Sequence, residues 1–248
     1  MAGASGPKTD DSDQMMFVRK VLGIVSGQLL ISFIMLIGAS VTPTDPANCY
    51  NVRVSYRDSI CMNGFGWLST TVGCQITAFF VYIFTIVALL CSKNLRQSVP
   101  FNYILLFLFT VSMGFIFAGL TAWLTAQSVL ISIGVLVVTL MCLFGAALLI
   151  KARAAVLKGI LIGVLAAVFL QVTLCLTMVF SGYVGQGLWI LYCTLGVIIA
   201  SALIYFDLFI IMLAGKYAMD EYIYCAILLY VDIMRLLLYI LMIFGKGK

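Results

Sequence analysis

The sequence predicts an all-α polytopic membrane protein, a single bundle of seven transmembrane helices. Three observations carry that expectation. Of its 248 residues 64% are hydrophobic and only 9% charged, against about 45–50% and about 25% in a soluble domain. A soluble globule of this size could not hide so much apolar surface, and a disordered chain would carry far more charge. The apolar residues also fall into runs of the roughly 20 needed to cross a bilayer as a helix, separated by short polar stretches. A transmembrane barrel would show alternating segments of about ten residues, and none is visible.

In chain order, Met1 to Gln14 is a polar arm carrying Asp10, Asp11 and Asp13. It lacks the cationic start and cleavage site of a signal peptide, so the first run, Val21–Val41, is expected to be retained. A polar loop follows from Thr42 to Thr71, with Pro43, Pro46, Arg53, Arg57 and Asp58. The next runs are Val72–Cys91, Phe101–Leu120, Val129–Ile150, Gly159–Phe180, Leu188–Leu213 and Ile223–Phe244. Their connections are too short to separate two domains. Residues 1–20 are therefore read as an arm and 21–248 as one transmembrane domain.

Lysine and arginine asymmetry sets the orientation. With a cytosolic N-terminus, Lys8, Arg19, Lys20, Lys93, Arg96, Lys151, Arg153, Lys158 and Lys216 lie on the cytosolic side. Arg53, Arg57, Lys246 and Lys248 lie opposite, which favours that orientation. The basic tail after Gly245 leaves a second route open, in which the last segment re-enters and returns; its length favours a full crossing. Cys49 and Cys61 share the one long loop, on the non-cytosolic side, and are candidates for a disulfide in an oxidising lumen. Cys74, Cys91, Cys142, Cys175, Cys193 and Cys225 fall in or at the ends of spans, where small apolar packing is expected. Gly159 and Gly163 form a small-xxx-small pair suited to helix contact within the bundle.

A charge at the bilayer centre costs on the order of 3 kcal/mol or more. The first five spans avoid one. The last two do not: Asp207 sits in Ile204-Tyr205-Phe206-Asp207, and Asp232 and Arg235 in Leu229-Tyr230-Val231-Asp232-Ile233-Met234-Arg235. Two antiparallel helices joined by a short loop bring Asp207 and Asp232 to similar depth, about 10 and about 15 Å from the cytosolic ends of their helices. Two carboxylates meeting in a low-dielectric setting cannot both ionise cheaply. Such a dyad shares a proton at lower pH and separates, or binds a cation, at higher pH. Oxygen ligands of this kind suit Ca²⁺ better than Mg²⁺. The structural alternative is an ion pair: Arg235 follows Asp232 by three residues and can neutralise it on the same helix face. Tyr224, Tyr230 and Tyr239 are expected mainly to fill the bundle.

Further residues carry a resemblance. Phe17-Val18-Arg19-Lys20-Val21-Leu22, followed by Gln28-Leu29-Leu30, resembles the start of the transmembrane Bax inhibitor motif family, which includes the lifeguard proteins. Tyr205-Phe206-Asp207 stands where that family has a Tyr-Asp pair. Gly215-Lys216 and Asp220-Glu221-Tyr222 resemble its inter-helix loop, and Ala226 with Leu229-Tyr230-Val231-Asp232-Ile233 resembles its Ala…Leu-Tyr-Leu-Asp-Ile signature. The resemblance implies seven helices with the last one central, and a pH-sensitive Ca²⁺ leak whose di-aspartyl sensor is Asp207 and Asp232. It also implies protection from cell death and residence in endoplasmic reticulum, Golgi or lysosomal membranes. The sequence departs from the pattern at Leu208, Phe209 and Leu228, at Arg235 where an asparagine is usual, and in a second span without charge. Such divergence resembles viral copies of the family, notably the seven-span proteins of cytomegaloviruses.

The functional expectation is a Ca²⁺-permeable leak with Asp207 and Asp232 on the ion path and transiently on the metal, and with Arg235 as electrostatic latch. A non-conducting adaptor that binds other membrane proteins is the alternative. A seven-helix ligand receptor fits less well, because its N-terminus would face the other way. Protons, Ca²⁺ and lipid are the expected partners, with no tightly bound cofactor and no nucleic acid. Enzyme chemistry has no footing: histidine is absent from the chain, and no phosphate loop or metal-ligand spacing occurs.

Overall fold

In lipid an apolar run satisfies its backbone by closing every N–H···O=C bond within the segment. A computed structural model of the chain, describing residues 11–43, 49–53, 59–91, 98, 100–149, 154–181, 185–212 and 222–247, shows how these runs do so. The long helices are α1 (Asp11–Ser40), α3 (Val72–Cys91), α4 (Phe101–Thr121), α5 (Ala126–Leu149), α6 (Ala154–Ser181), α7 (Gln186–Met212) and α8 (Tyr222–Phe244), with a short α2 (Gly64–Thr70). The protein is an all-α membrane bundle. Six helices, α1, α3, α4, α5, α7 and α8, are long and apolar enough to cross a membrane. A crossing by α6 rests on its 28-residue length and on the apolar stretch Gly163–Leu176.

Helix α1 begins ten residues before the expected span, so the second half of the arm is helical rather than loose. No proline or glycine interrupts Asp11 to Leu22, and nothing stops the helix at the hydrocarbon boundary. The expected loop between the first two spans also carries structure. Strands β1 (Tyr50–Arg53) and β2 (Ser59–Met62) pair antiparallel, from Tyr50 opposite Met62 to Arg53 opposite Ser59. Cys49 and Cys61 are joined by a disulfide, with Cα atoms 5.4 Å apart. Asn63 caps α2: its side-chain oxygen accepts from the Gly66 N–H at 2.6 Å, and its amide donates to the Gly38 carbonyl at the end of α1 at 2.5 Å. Tyr50 stacks on Trp67 at 5.2 Å, and Ala39, Met62, Ala118 and Ala122 bury a second small core beneath.

Helix α8 lies at the centre. It packs against α1, α4, α5 and α7, and twelve of its side chains, from Ile223 to Leu241, are buried. It runs the whole length of the bundle instead of turning back. At one end the Tyr222 hydroxyl meets that of Tyr103 at 3.0 Å. At the other, the Thr125 N–H donates to the Lys246 carbonyl at 2.9 Å, and the Lys246 N–H donates to Ser128 Oγ at 3.1 Å. The tail therefore ends beside the α4–α5 turn, at the same end as the hairpin.

Two packing expectations are corrected. Gly163 faces open space, with no atom within 4 Å of where a Cβ would stand; the surroundings of Gly159 lie outside the described residues. The close approaches occur elsewhere, at Gly114 against Met35 and Ser32, and at Gly196 against the ring of Tyr239. Of the span cysteines, Cys193 and Cys225 are buried, whereas Cys91, Cys142 and Cys175 lie on the outer surface. The basic caps Lys93, Arg96, Lys151, Arg153 and Lys216, and the inter-helix loop Gly215 to Glu221, lie outside the described residues, as does the side chain of Lys158.

Candidate functional site

Helices α7 and α8 are antiparallel neighbours joined by a nine-residue connection, residues 213–221. Asp207 stands five residues before the end of α7 and Asp232 ten residues after the start of α8. At about 1.5 Å per residue, these are depths of about 8 and about 15 Å. Their carboxyls lie within side-chain interaction range of one another. Asp207 Oδ2 is buried with no hydrogen-bond partner. Asp207 also lines a cavity of about 10 Å³ with Ile210, Ile211, Cys225 and Leu228, about the room one water needs. Among the described residues no group of three His, Cys, Asp or Glu side chains is placed to hold a metal ion.

Arg235 lies one turn further along α8, its Nη1 3.9 Å from Asp232 Oδ1, with the arginine side chain 49% exposed and the aspartate 16%. That separation is an ion pair without a tight hydrogen bond. From α3, the span without charge, Tyr82 comes within electrostatic reach of Arg235 and stacks on Phe109 of α4 at 5.6 Å. Three sequence-chosen residues, Asp207, Asp232 and Arg235, thus share one neighbourhood. Cys49 and Cys61 lie apart from it, in the hairpin.

Sequence reasoning passed over a polar layer at similar depth. Gln28 Nε2 donates to Thr110 Oγ1 at 2.9 Å, leaving Gln28 Oε1 buried and without a hydrogen-bond partner. Ser32 Oγ bonds the Tyr230 hydroxyl at 2.7 Å, and Tyr230 sets its ring edge against Phe109. Gln28 and Ser32 are one turn apart, and each lies on the buried stripe of α1; the i, i+4 spacing of two polar residues in an apolar run was the available signal. Tyr239 accepts from Gln171 Nε2 of α6 at 2.9 Å. Tyr230 and Tyr239 therefore both fill the bundle and terminate polar contacts.

Two comparisons bear on this arrangement. Residues 14–248 match the family described as Inhibitor of apoptosis-promoting Bax1. The chain is 26% identical to human Protein lifeguard 3 over 234 residues, 92% of this chain and 68% of that protein. The match takes in every helix from α1 to α8, with both aspartates and Arg235 inside it. The chain belongs to the family of inhibitors of apoptosis-promoting Bax1.

Proposed function

We propose that this membrane protein acts against apoptosis as a proton-sensitive, Ca²⁺-permeable leak of an intracellular membrane, gated at Asp207 and Asp232. The observation that carries the reading is the proximity of two carboxyls inside the bundle, one of them with an unpartnered buried oxygen and lining a water-sized cavity. At lower pH one shared proton serves both groups, and the helices are held together across it. As pH rises that proton leaves, two like charges face each other, and a cation becomes the species that relieves them. Ca²⁺ takes six to eight oxygens; two carboxylates offer at most four, so water completes the shell and the ion is passed on rather than kept. The reading puts the N-terminus in the cytosol, on the lysine and arginine distribution. It puts the Cys49–Cys61 hairpin in an oxidising lumen of the endoplasmic reticulum, Golgi or endolysosomes. No reaction chemistry is assigned.

The test is Ca²⁺ flux into liposomes that hold purified protein and an enclosed indicator, between pH 6 and 8. Wild-type flux is expected to rise with pH, and Asp232→Asn to flatten that dependence. Equal fluxes for the two proteins at every pH overturn the reading. Arg235 favours a second one: a fixed cation 3.9 Å from Asp232 opposes cation passage and suits a non-conducting adaptor that binds other membrane proteins. In that case Asp207→Asn and Asp232→Asn leave survival of stressed cells unchanged, and exposed positions such as Phe80 and Phe169 become the sensitive ones.

A further inference from the structure

We infer that the end of the bundle where α1, α4 and α8 converge holds a binding site for a phosphate-bearing headgroup, supplied by an anionic lipid or by free phosphate. A cleft of about 270 Å³ opens there, lined by Arg19, Lys20, Gly23, Ile24, Tyr103 and Tyr222. Among the described residues its charged groups are all cationic. Two cations flank it, and no carboxylate among the described residues pairs with either. Lys20 is held by the face of Tyr222, its Nζ 5.9 Å from the ring centroid. That contact positions the ammonium without neutralising it. The Tyr103 and Tyr222 hydroxyls, 3.0 Å apart, add hydrogen-bonding groups from two further helices.

The position in the fold selects the ligand class. Lys20 is the last residue before the apolar run of α1, Tyr103 the third residue of α4, and Tyr222 the first of α8. All therefore stand at the level where tyrosine, lysine and arginine meet the headgroups. Basic pockets between helices at that level bind lipid phosphates. The cleft has more room than one phosphate fills, and Gly23 and Ile24 give it an apolar floor on which glycerol and the first methylenes can lie. Gly23 has nothing within 4 Å of a built Cβ, so the space above it belongs to the cleft. Arginine and lysine at such a boundary are common topology markers, but the shared cavity and the two convergent tyrosines exceed what orientation needs. The site shares no lining residue with the Asp207 cavity and does not depend on ion conduction.

The test uses purified full-length protein in detergent, with binding followed by native mass spectrometry and thermal shift. The probes are dioctanoyl phosphatidylinositol 4-phosphate, dioctanoyl phosphatidylcholine and inorganic phosphate. The anionic lipid is expected to bind in preference to phosphatidylcholine and to weaken as salt rises from 0.1 to 0.5 M. Loss of two charge-assisted contacts in the Arg19→Gln/Lys20→Gln double variant should reduce affinity on the order of tenfold or more. Gly23→Leu keeps both charges, adds a good helix former and fills the cleft, so it should block binding in a protein that melts no lower than wild type. Displacement of the lipid by inorganic phosphate at comparable concentration supports the site with free phosphate as its source. Failure of phosphate to compete supports it with lipid as the source. Equal binding of anionic and zwitterionic lipid, or unchanged affinity in both Gly23→Leu and the double variant, overturns the inference.

Discussion

Arg235→Gln isolates the electrostatic term at the proposed gate, because glutamine keeps much of the stem and removes the charge. The guanidinium stands 3.9 Å from Asp232. Coulomb's law at that distance gives about 1 kcal/mol in a water-like medium and about 4 kcal/mol at an effective dielectric of about 20. The arginine side chain is 49% exposed, so the lower half of that range applies. A loss of about 1–2 kcal/mol of repulsion towards a cation at the aspartates converts to about a 5- to 30-fold rise in its occupancy. Ca²⁺ entry into indicator-loaded liposomes at pH 8, the alkaline end of the proposed response, should therefore increase by roughly an order of magnitude. Arg235→Lys, which preserves the charge, should stay near wild type. Raising the salt should narrow the gap between Arg235→Gln and wild type, since exposed charge is the first to be screened. Flux in Arg235→Gln equal to or below wild type refutes the latch.

Two further outcomes concern the scaffold. A Cβ on Gly196 would fall 2.5 Å from the Tyr239 ring while one on Gly134 would meet nothing. Gly196→Ala should thus cost about 1–3 kcal/mol and Gly134→Ala should gain about 0.5–1 kcal/mol; thermal melts in detergent that rank them the other way contradict the packing described. The Cys49–Cys61 bond closes a loop with a sequence separation of 12, worth about 3 kcal/mol in the chain-entropy account. Cys49→Ser should therefore melt several degrees lower, and an unchanged melt with and without reductant would contradict it.

The helices were legible in the sequence because hydropathy reports length. The Val72–Cys91 run matches α3 to the residue, and the Phe101–Leu120 run matches the start of α4. The start of α1 was missed because a helix is not obliged to end where its apolar run does. The hairpin and α2 were read as loop because Gly64, Gly66, Ser69 and Thr70 are weak helix formers; their order comes from the Asn63 cap and from contact with α1 and α4. Hydropathy also cannot say which helix is central. Helices α3 and α8 are similarly apolar, yet α3 is mostly exposed and half of α8 is buried. Asp207 and Asp232 were found because a charge in lipid is conspicuous. Gln28, Ser32 and Thr110 were passed over because uncharged polar residues in a span are not.

The central placement of α8 has a consequence for biogenesis. The ribosome delivers this segment after α1, α4, α5 and α7, the helices it packs against, so it must find its place among partners made before it. Its Asp232 and Arg235 arrive together, as a nearly neutral package. A nascent chain cut short before that point would leave Asp207 stranded against hydrocarbon, a state that membrane quality control is equipped to recognise.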